Sequence, residues 1–172
     1  MEPPRFDDAR GWFSETYSAR SFAAHGINLV FVQDNISSSI AAGTVRGLHY
    51  QSDPYAQAKL VHTARGSIVD VAVDIRAGSP TYGKYVAVEL SAENGRQLLV
   101  PVGFAHGFVT REPNTVVTYK VTNFYAPDHD HGIHWADPDL GIDWGLEPSE
   151  ATLSQRDMNW PRLLNASVHF RL

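Results

Sequence analysis

The sequence predicts a mainly all-β chain, an antiparallel sandwich or barrel carrying a few short helices. Three observations lead there. Apolar and polar residues alternate with period two in the middle of the chain. Glycine-containing turns separate the apolar runs at short intervals, and helical signals are few and brief.

Taken in chain order, Ser18 to His25 predicts a short helix ended by Gly26. Arg46-Gly-Leu-His49-Tyr-Gln51 follows Ala41-Ala-Gly-Thr-Val45 and reads as a strand. Ala64-Arg-Gly-Ser67 separates two further strands. In the second of these, Val69, Val71 and Val73 alternate with Asp70, Ala72 and Asp74, the pattern of a half-buried strand. Tyr85 to Leu90 and Gln97 to Val100 flank Asn94-Gly95, a pair that favours a tight hairpin turn. Val116 to Thr122 is a β-branched and aromatic run. Glu147 to Asp157 predicts a second helix, with Ser149 as its N-cap.

At 172 residues the chain fits one domain with a single sizeable core, a β core over about residues 28–125 with residues 126–172 packing on it. There are no cysteines, which removes thiolate metal sites and cysteine nucleophiles from consideration. A net charge of −5 argues against nucleic acid as the main partner, although a few arginines in one cleft can still hold a small anion. The segment Met-Glu-Pro-Pro-Arg lacks the apolar stretch of a signal peptide, and no apolar run is long enough to span a bilayer. The expectation is a cytoplasmic protein with no membrane partner.

Several residues invite chemistry. His49 has the side chain whose ordinary pKa suits proton abstraction near neutrality, or it is a buried histidine satisfied by backbone groups. Arg46 stands three positions away, so on a flat strand the two point to opposite faces. A bulge or twist at Gly47 would bring both to one cavity. Lys59 sits among apolar residues in Ala56-Gln-Ala-Lys-Leu-Val61, either facing a cavity where its charge needs a partner or discouraging pairing at a sheet edge. Tyr119 and Tyr125 suit a proton donor or a ring-stacking surface, and equally an ordinary core or rim position. His129-Asp-His131 with His134 lies between Pro127 and Pro138 and reads as an exposed turn rather than a metal site. Pro101-Val-Gly-Phe-Ala-His106 resembles the Pro-x-Gly-x-x-His segment of cupin jelly rolls. A metal cupin wants a second histidine two positions after His49, where Gln51 stands, so His49 and His106 alone are too few ligands.

The segments are more specific together than apart. Arg10-Gly-Trp-Phe13-Ser-Glu15, Phe31-Val-Gln33-Asp-Asn35, Arg46 to Gln51, Ala58-Lys59-Leu-Val61, Gly66 to Asp74, Pro101 to Phe108, Tyr119-Lys, Thr122 to Tyr125, Asp137 to Leu140 and Leu153 to Asp157 occur in that order. This series resembles the dTDP-4-dehydrorhamnose 3,5-epimerase family over nearly the whole chain. The resemblance implies a cupin-type jelly roll, a homodimer with exchanged N-terminal strands, a dTDP-4-keto-6-deoxyhexose substrate, and neither metal nor redox cofactor. Residue by residue, His49 resembles the general base, Asp157 its carboxylate partner, Lys59 the group that stabilises the enolate oxygen, and Tyr119 the acid that returns a proton from the opposite face. Arg10, Phe13, Glu15, Gln33 and Asn35 resemble nucleotide-side contacts, partly supplied by the other subunit. Arg46 and His106 resemble phosphate or sugar contacts, and Tyr125 the aromatic lining the sugar. Asp70 is expected to support His49 or Lys59. Gly145 departs from the family, which often has proline there. Epimerisation at C3 or C5 alone, and a non-catalytic sugar-nucleotide-binding jelly roll, are the rival readings.

Overall fold

The computed structural model spans residues 1–172. Its strands are β1 (Arg5–Asp8), β2 (Gly11–Ser14), β3 (Gln33–Ser39), β4 (Val45–Gln51), β5 (Lys59–Arg65), β6 (Ser67–Asp74), β7 (Arg76–Ala77), β8 (Tyr85–Ser91), β9 (Gln97–Val100), β10 (Phe104–Thr110), β11 (Thr115–Val121), β12 (Asp130–Gly132) and β13 (Phe170–Arg171). Two short helices, α1 (Ala19–Ala24) and α2 (Gln155–Met158), complete it. Two antiparallel sheets of order β12-β4-β10-β6-β8 and β3-β11-β5-β9 face each other as a cupin-type jelly roll. No helix is long and apolar enough to cross a membrane, which says nothing of β-barrels.

The core has two parts. Val61, Ile68, Ala72, Leu90, Val100, Phe108 and Val117 fill the space between the sheets. On the opposite face of the five-stranded sheet, Leu48, Tyr50, Val71, Val73 and Val109 are covered by residues of the C-terminal segment, among them Ile133, Trp135, Trp144 and Phe170. β6, in the middle of that sheet, is therefore covered on both faces. This corrects the expectation of a half-buried strand: in β6, Asp70 and Asp74 are as buried as the valines between them. Each is tolerated because it has partners. Asp74 accepts from Arg76, Ser79 and Thr81, and Asp70 bonds His106.

Two connections differ from expectation. Asn94 closes a turn with Ser91 in both directions, and Gly95 takes φ 61°, but the flanking β8 and β9 lie in different sheets. The turn passes the chain between layers instead of closing a hairpin. The single helix expected over Glu147 to Asp157 is divided. A 3-10 turn over Pro148–Glu150 is capped by Glu147 rather than Ser149, and α2 starts separately with Ser154 as N-cap. Between them Thr152 bridges Thr44 in parallel, and that long-range pairing excludes helix there. The first helix forms where expected, capped by Ser18.

Candidate active site

The site is built on one irregularity. In the pairing of β4 with β10, His49 stands opposite His106 and Arg46 opposite Phe108, so Gly47 and Leu48 face the single residue Gly107. This bulge puts Arg46 and His49 on the same face of the sheet, one of the two ways the sequence allowed. Gly47 takes φ 132°, and a Cβ there would lie 2.5 Å from the Gly107 Cα and 2.8 Å from the His106 carbonyl oxygen. Only glycine permits both the conformation and the approach.

His49 Nε2 lies 2.5 Å from Asp157 Oδ1 on α2. Burial works against the Asp157 charge, but the bonds from His49 and Ser154 outweigh it and hold the carboxyl below its usual range. An ionised carboxylate only accepts, so Nε2 carries the hydrogen and the imidazole lone pair rests on Nδ1. Lys59, 8% exposed at the start of β5, donates from Nζ to the His49 carbonyl oxygen at 3.2 Å. Burial pulls its pKa down to about 8, against the attraction of Asp130 and Asp70. Tyr119, on β11, is pushed up by burial and by Asp130, with Arg46 opposing, so its hydroxyl keeps its proton at neutral pH.

His49, Lys59, Tyr119, Tyr125, Gln33 and Asn35 line one cleft of about 140 Å³, together with Asp130. Gln33 donates to Asn35 and accepts from the backbone of Tyr125, which fixes the rim. Arg46 donates to Ser39 Oγ and to the Ser38 carbonyl oxygen. His106 bonds Asp70 Oδ1 at 2.7 Å, and the second Asp70 oxygen, buried, has no partner. Asp70 thus bonds His106 and favours the charge on Lys59, and no bond joins it to His49.

Other placements differ. Arg10, at the tip of the β1–β2 hairpin, is bound to Asp8 and its side chain is 90% exposed. Phe13 is 68% exposed, and neither it, Arg10 nor Glu15 lines the cleft of His49. The histidine run is no exposed turn. His131 belongs to β12, which pairs with β4; it bonds Ser52 and stacks on His169, with ring centroids 4.2 Å apart. His129 bonds the same Ser52. Gly145 takes φ 61°, which the proline of the family pattern cannot adopt, and its carbonyl oxygen accepts from Arg111.

Two residues of the site escaped sequence reasoning. Asp130 enters the cleft from β12 and is paired with Arg156 of α2 at 2.6 Å. The signal was present in Asp130 between two histidines, but the eye goes to the histidines. Arg156, one residue before Asp157, carried no mark of its own.

The profile of a family described as dTDP-4-dehydrorhamnose 3,5-epimerase matches residues 1–165. A dTDP-4-dehydrorhamnose 3,5-epimerase of Sinorhizobium fredii is 50% identical over 173 residues, covering 99% of this chain and 87% of the relative. The crystal structure of a dTDP-6-deoxy-D-glucose-3,5-epimerase from Legionella pneumophila in complex with dTDP-4-keto-L-rhamnose superposes with a TM-score of 0.94 at 44% identity, over 99% of this chain and 91% of that one. An epimerase from Bacillus anthracis with TDP and pyrophosphate bound gives 0.91 at 48% identity, over 94% and 91%. With fold, site and sequence in agreement over almost its full length, the chain belongs to the dTDP-4-dehydrorhamnose 3,5-epimerase family.

Proposed function

We propose that this protein is an isomerase that converts dTDP-4-dehydro-6-deoxy-D-glucose into dTDP-4-dehydro-L-rhamnose by inverting C3 and C5. The observation that carries the reading is the meeting, in one cleft, of a carboxylate-paired histidine, a buried lysine and a protonated tyrosine. Both carbons are α to the C4 ketone. His49 Nδ1 takes the proton from C3 or C5, the electron pair moves into the ring, and charge develops on O4. Lys59 faces that oxygen with a positive charge, help of a kind worth ~3–4 kcal/mol elsewhere. Tyr119 then gives its proton to the opposite face of the same carbon, which inverts it. Proton exchange with water returns His49 and Tyr119 to their starting forms. No metal or redox cofactor enters this sequence of steps.

A cleft of about 140 Å³ suits a sugar ring better than a whole nucleotide sugar, so the nucleotide lies outside it. Arg46 and His106 serve the phosphate and sugar oxygens, Tyr125 the sugar, and Gln33 and Asn35 the nucleotide side. Arg10, Phe13 and Glu15 complete the nucleotide site in a homodimer with exchanged N-terminal strands. Support comes from the β1–β2 hairpin, which leaves Phe6, Trp12 and Phe13 at 52–68% exposure. Outward-facing Ile36 on β3, the edge strand of the four-stranded sheet, adds a further apolar surface at 73% exposure. Sedimentation equilibrium at low protein concentration tests the dimer, and a monomer overturns it. The whole chain acts as one domain, in the cytoplasm.

Proton NMR of dTDP-4-keto-6-deoxyglucose with the protein in deuterated water tests the reaction. Deuterium entering at both C3 and C5 is expected. Exchange at one carbon alone would select a single-site epimerase, and no exchange would leave a binding role.

A further inference from the structure

Trp160 packs against the His49–Asp157 pair without lining the cleft, and nothing in the reaction above uses it. Three contacts fix its ring. Gly132 on β12 stands in register with His49 on β4, and a Cβ at Gly132 would collide with the Trp160 indole. The absence of a side chain at Gly132 is therefore what lets the ring reach the sheet beside His49. The imidazole of His49 meets the ring edge to face, at 6.3 Å between centroids and 68°. On a further side the Arg156 guanidinium lies 4.9 Å from the ring centroid, and Arg156 itself holds Asp130. The backbone following the ring is anchored too, since the Pro161 carbonyl oxygen accepts from His134 N–H at 2.8 Å.

The indole N–H is the unexplained part. Nε1 is buried and has no hydrogen-bond partner within normal distance. An orphaned buried donor is unfavourable and uncommon in folded proteins. Asp157 lies three residues before Trp160, and Trp160 is among the groups that favour the ionised form of that carboxylate, after His49 and Ser154. The donor thus approaches the acceptor without closing on it.

We infer that Trp160 is a positioning residue, whose indole N–H dipole acts on Asp157 while its ring wedges between Gly132 and Arg156 to aim the His49 imidazole. The N–H draws charge on Asp157 away from His49, and the ring ties the dyad to the Arg156–Asp130 pair at the cleft. One tryptophan so couples the base to the wall of the sugar site. The assignment rests on the dyad geometry and on the reading of His49 as base.

The test separates the N–H from the ring. Trp160→Phe keeps an aromatic wedge and removes the donor, whereas Trp160→Leu removes both. In substrate-free protein, the titration of the dyad followed by NMR of its imidazole should move to higher pH by about 0.5 unit or more in Trp160→Phe. In turnover, kcat should fall about tenfold with KM little changed, as for loss of one bond to a charged acceptor. Trp160→Leu should add a rise in KM through release of Arg156. An unchanged imidazole titration in a folded Trp160→Phe variant overturns the proposal. So does a loss of activity accompanied only by a lower Tm. If the unaltered protein exchanges no deuterium into the keto sugar, the epimerase reading fails, while the substrate-free titration still decides the role of Trp160.

Discussion

His49 Nε2 and Asp157 Oδ1 lie 2.5 Å apart across 108 residues of sequence, and the carboxylate is held ionised beneath the imidazole. That bond fixes the tautomer and leaves Nδ1 as the base. His49→Ala should lower deuterium exchange at both C3 and C5 by about 10²–10⁴-fold, the range general-base catalysis supplies. Asp157→Asn should keep the fold and lose a comparable factor, because an amide can favour the wrong tautomer. Exchange persisting in His49→Ala at the original rate, read by proton NMR, removes His49 as the base.

Lys59 must be charged to hold the enolate oxygen, and burial brings its pKa to about 8. The folded value lies below the ordinary one, so the charge is present below about pH 8 and lost as pH rises through it. The kcat profile should therefore decline on its alkaline side near pH 8. Lys59→Met should lower kcat by about 10²–10³-fold and remove that limb. A profile flat to pH 9.5 in the unaltered protein would count against the role.

Tyr119 keeps its proton because burial opposes the phenolate. Tyr119→Phe should still exchange deuterium, since the base remains, while inversion slows by about 10²-fold or more. Comparing solvent exchange with product formation in one NMR time course checks this. Inversion at full rate would show that another group supplies the proton.

Both histidines that a cupin metal would use have Nε2 occupied by a carboxylate, Asp157 for His49 and Asp70 for His106. No group of three or more His, Asp or Glu is arranged to hold a metal ion. Incubation with a chelator should leave turnover unchanged. Activity lost to the chelator and restored by added metal would contradict the mechanism.

Gly47 joins the bulge to stability. Gly47→Ala forces a side chain against the Gly107 backbone at a φ of 132°. A loss of about 1–3 kcal/mol in unfolding free energy is expected, with activity reduced further because Arg46 and His49 no longer share a face. Denaturant melts beside the exchange assay test both parts.

Local patterning made much of this protein legible. Alternating valines announced β6, Ser18 and Gly26 bounded the first helix, and the Arg46–His49 spacing marked Gly47 as the place for a bulge or twist, of which the bulge is present. These features depend on residues close in the chain, where period and backbone preference act directly. The ordered motifs from Arg10 to Asp157 also carried the family, whose profile covers residues 1–165.

Assembly decided the remainder. Which strands become neighbours depends on hydrogen bonding and burial between distant segments, and period two alone assigns no partner. Thr152 pairs with Thr44 and so divides the helix expected through it; the Asn94-Gly95 turn leads into the other sheet; and β6 is buried on both faces because the second sheet covers the side of Asp70 while the C-terminal segment covers the side of Val71 and Val73. The same packing brings Asp157, Arg156 and Trp160 from the end of the chain onto β4 and β12, where Gly132 leaves room for the indole. Residue types named the chemistry because side-chain acidity and charge are intrinsic; distance and burial, which set the tautomer of His49 and the pKa of Lys59, exist only once the sheets have closed.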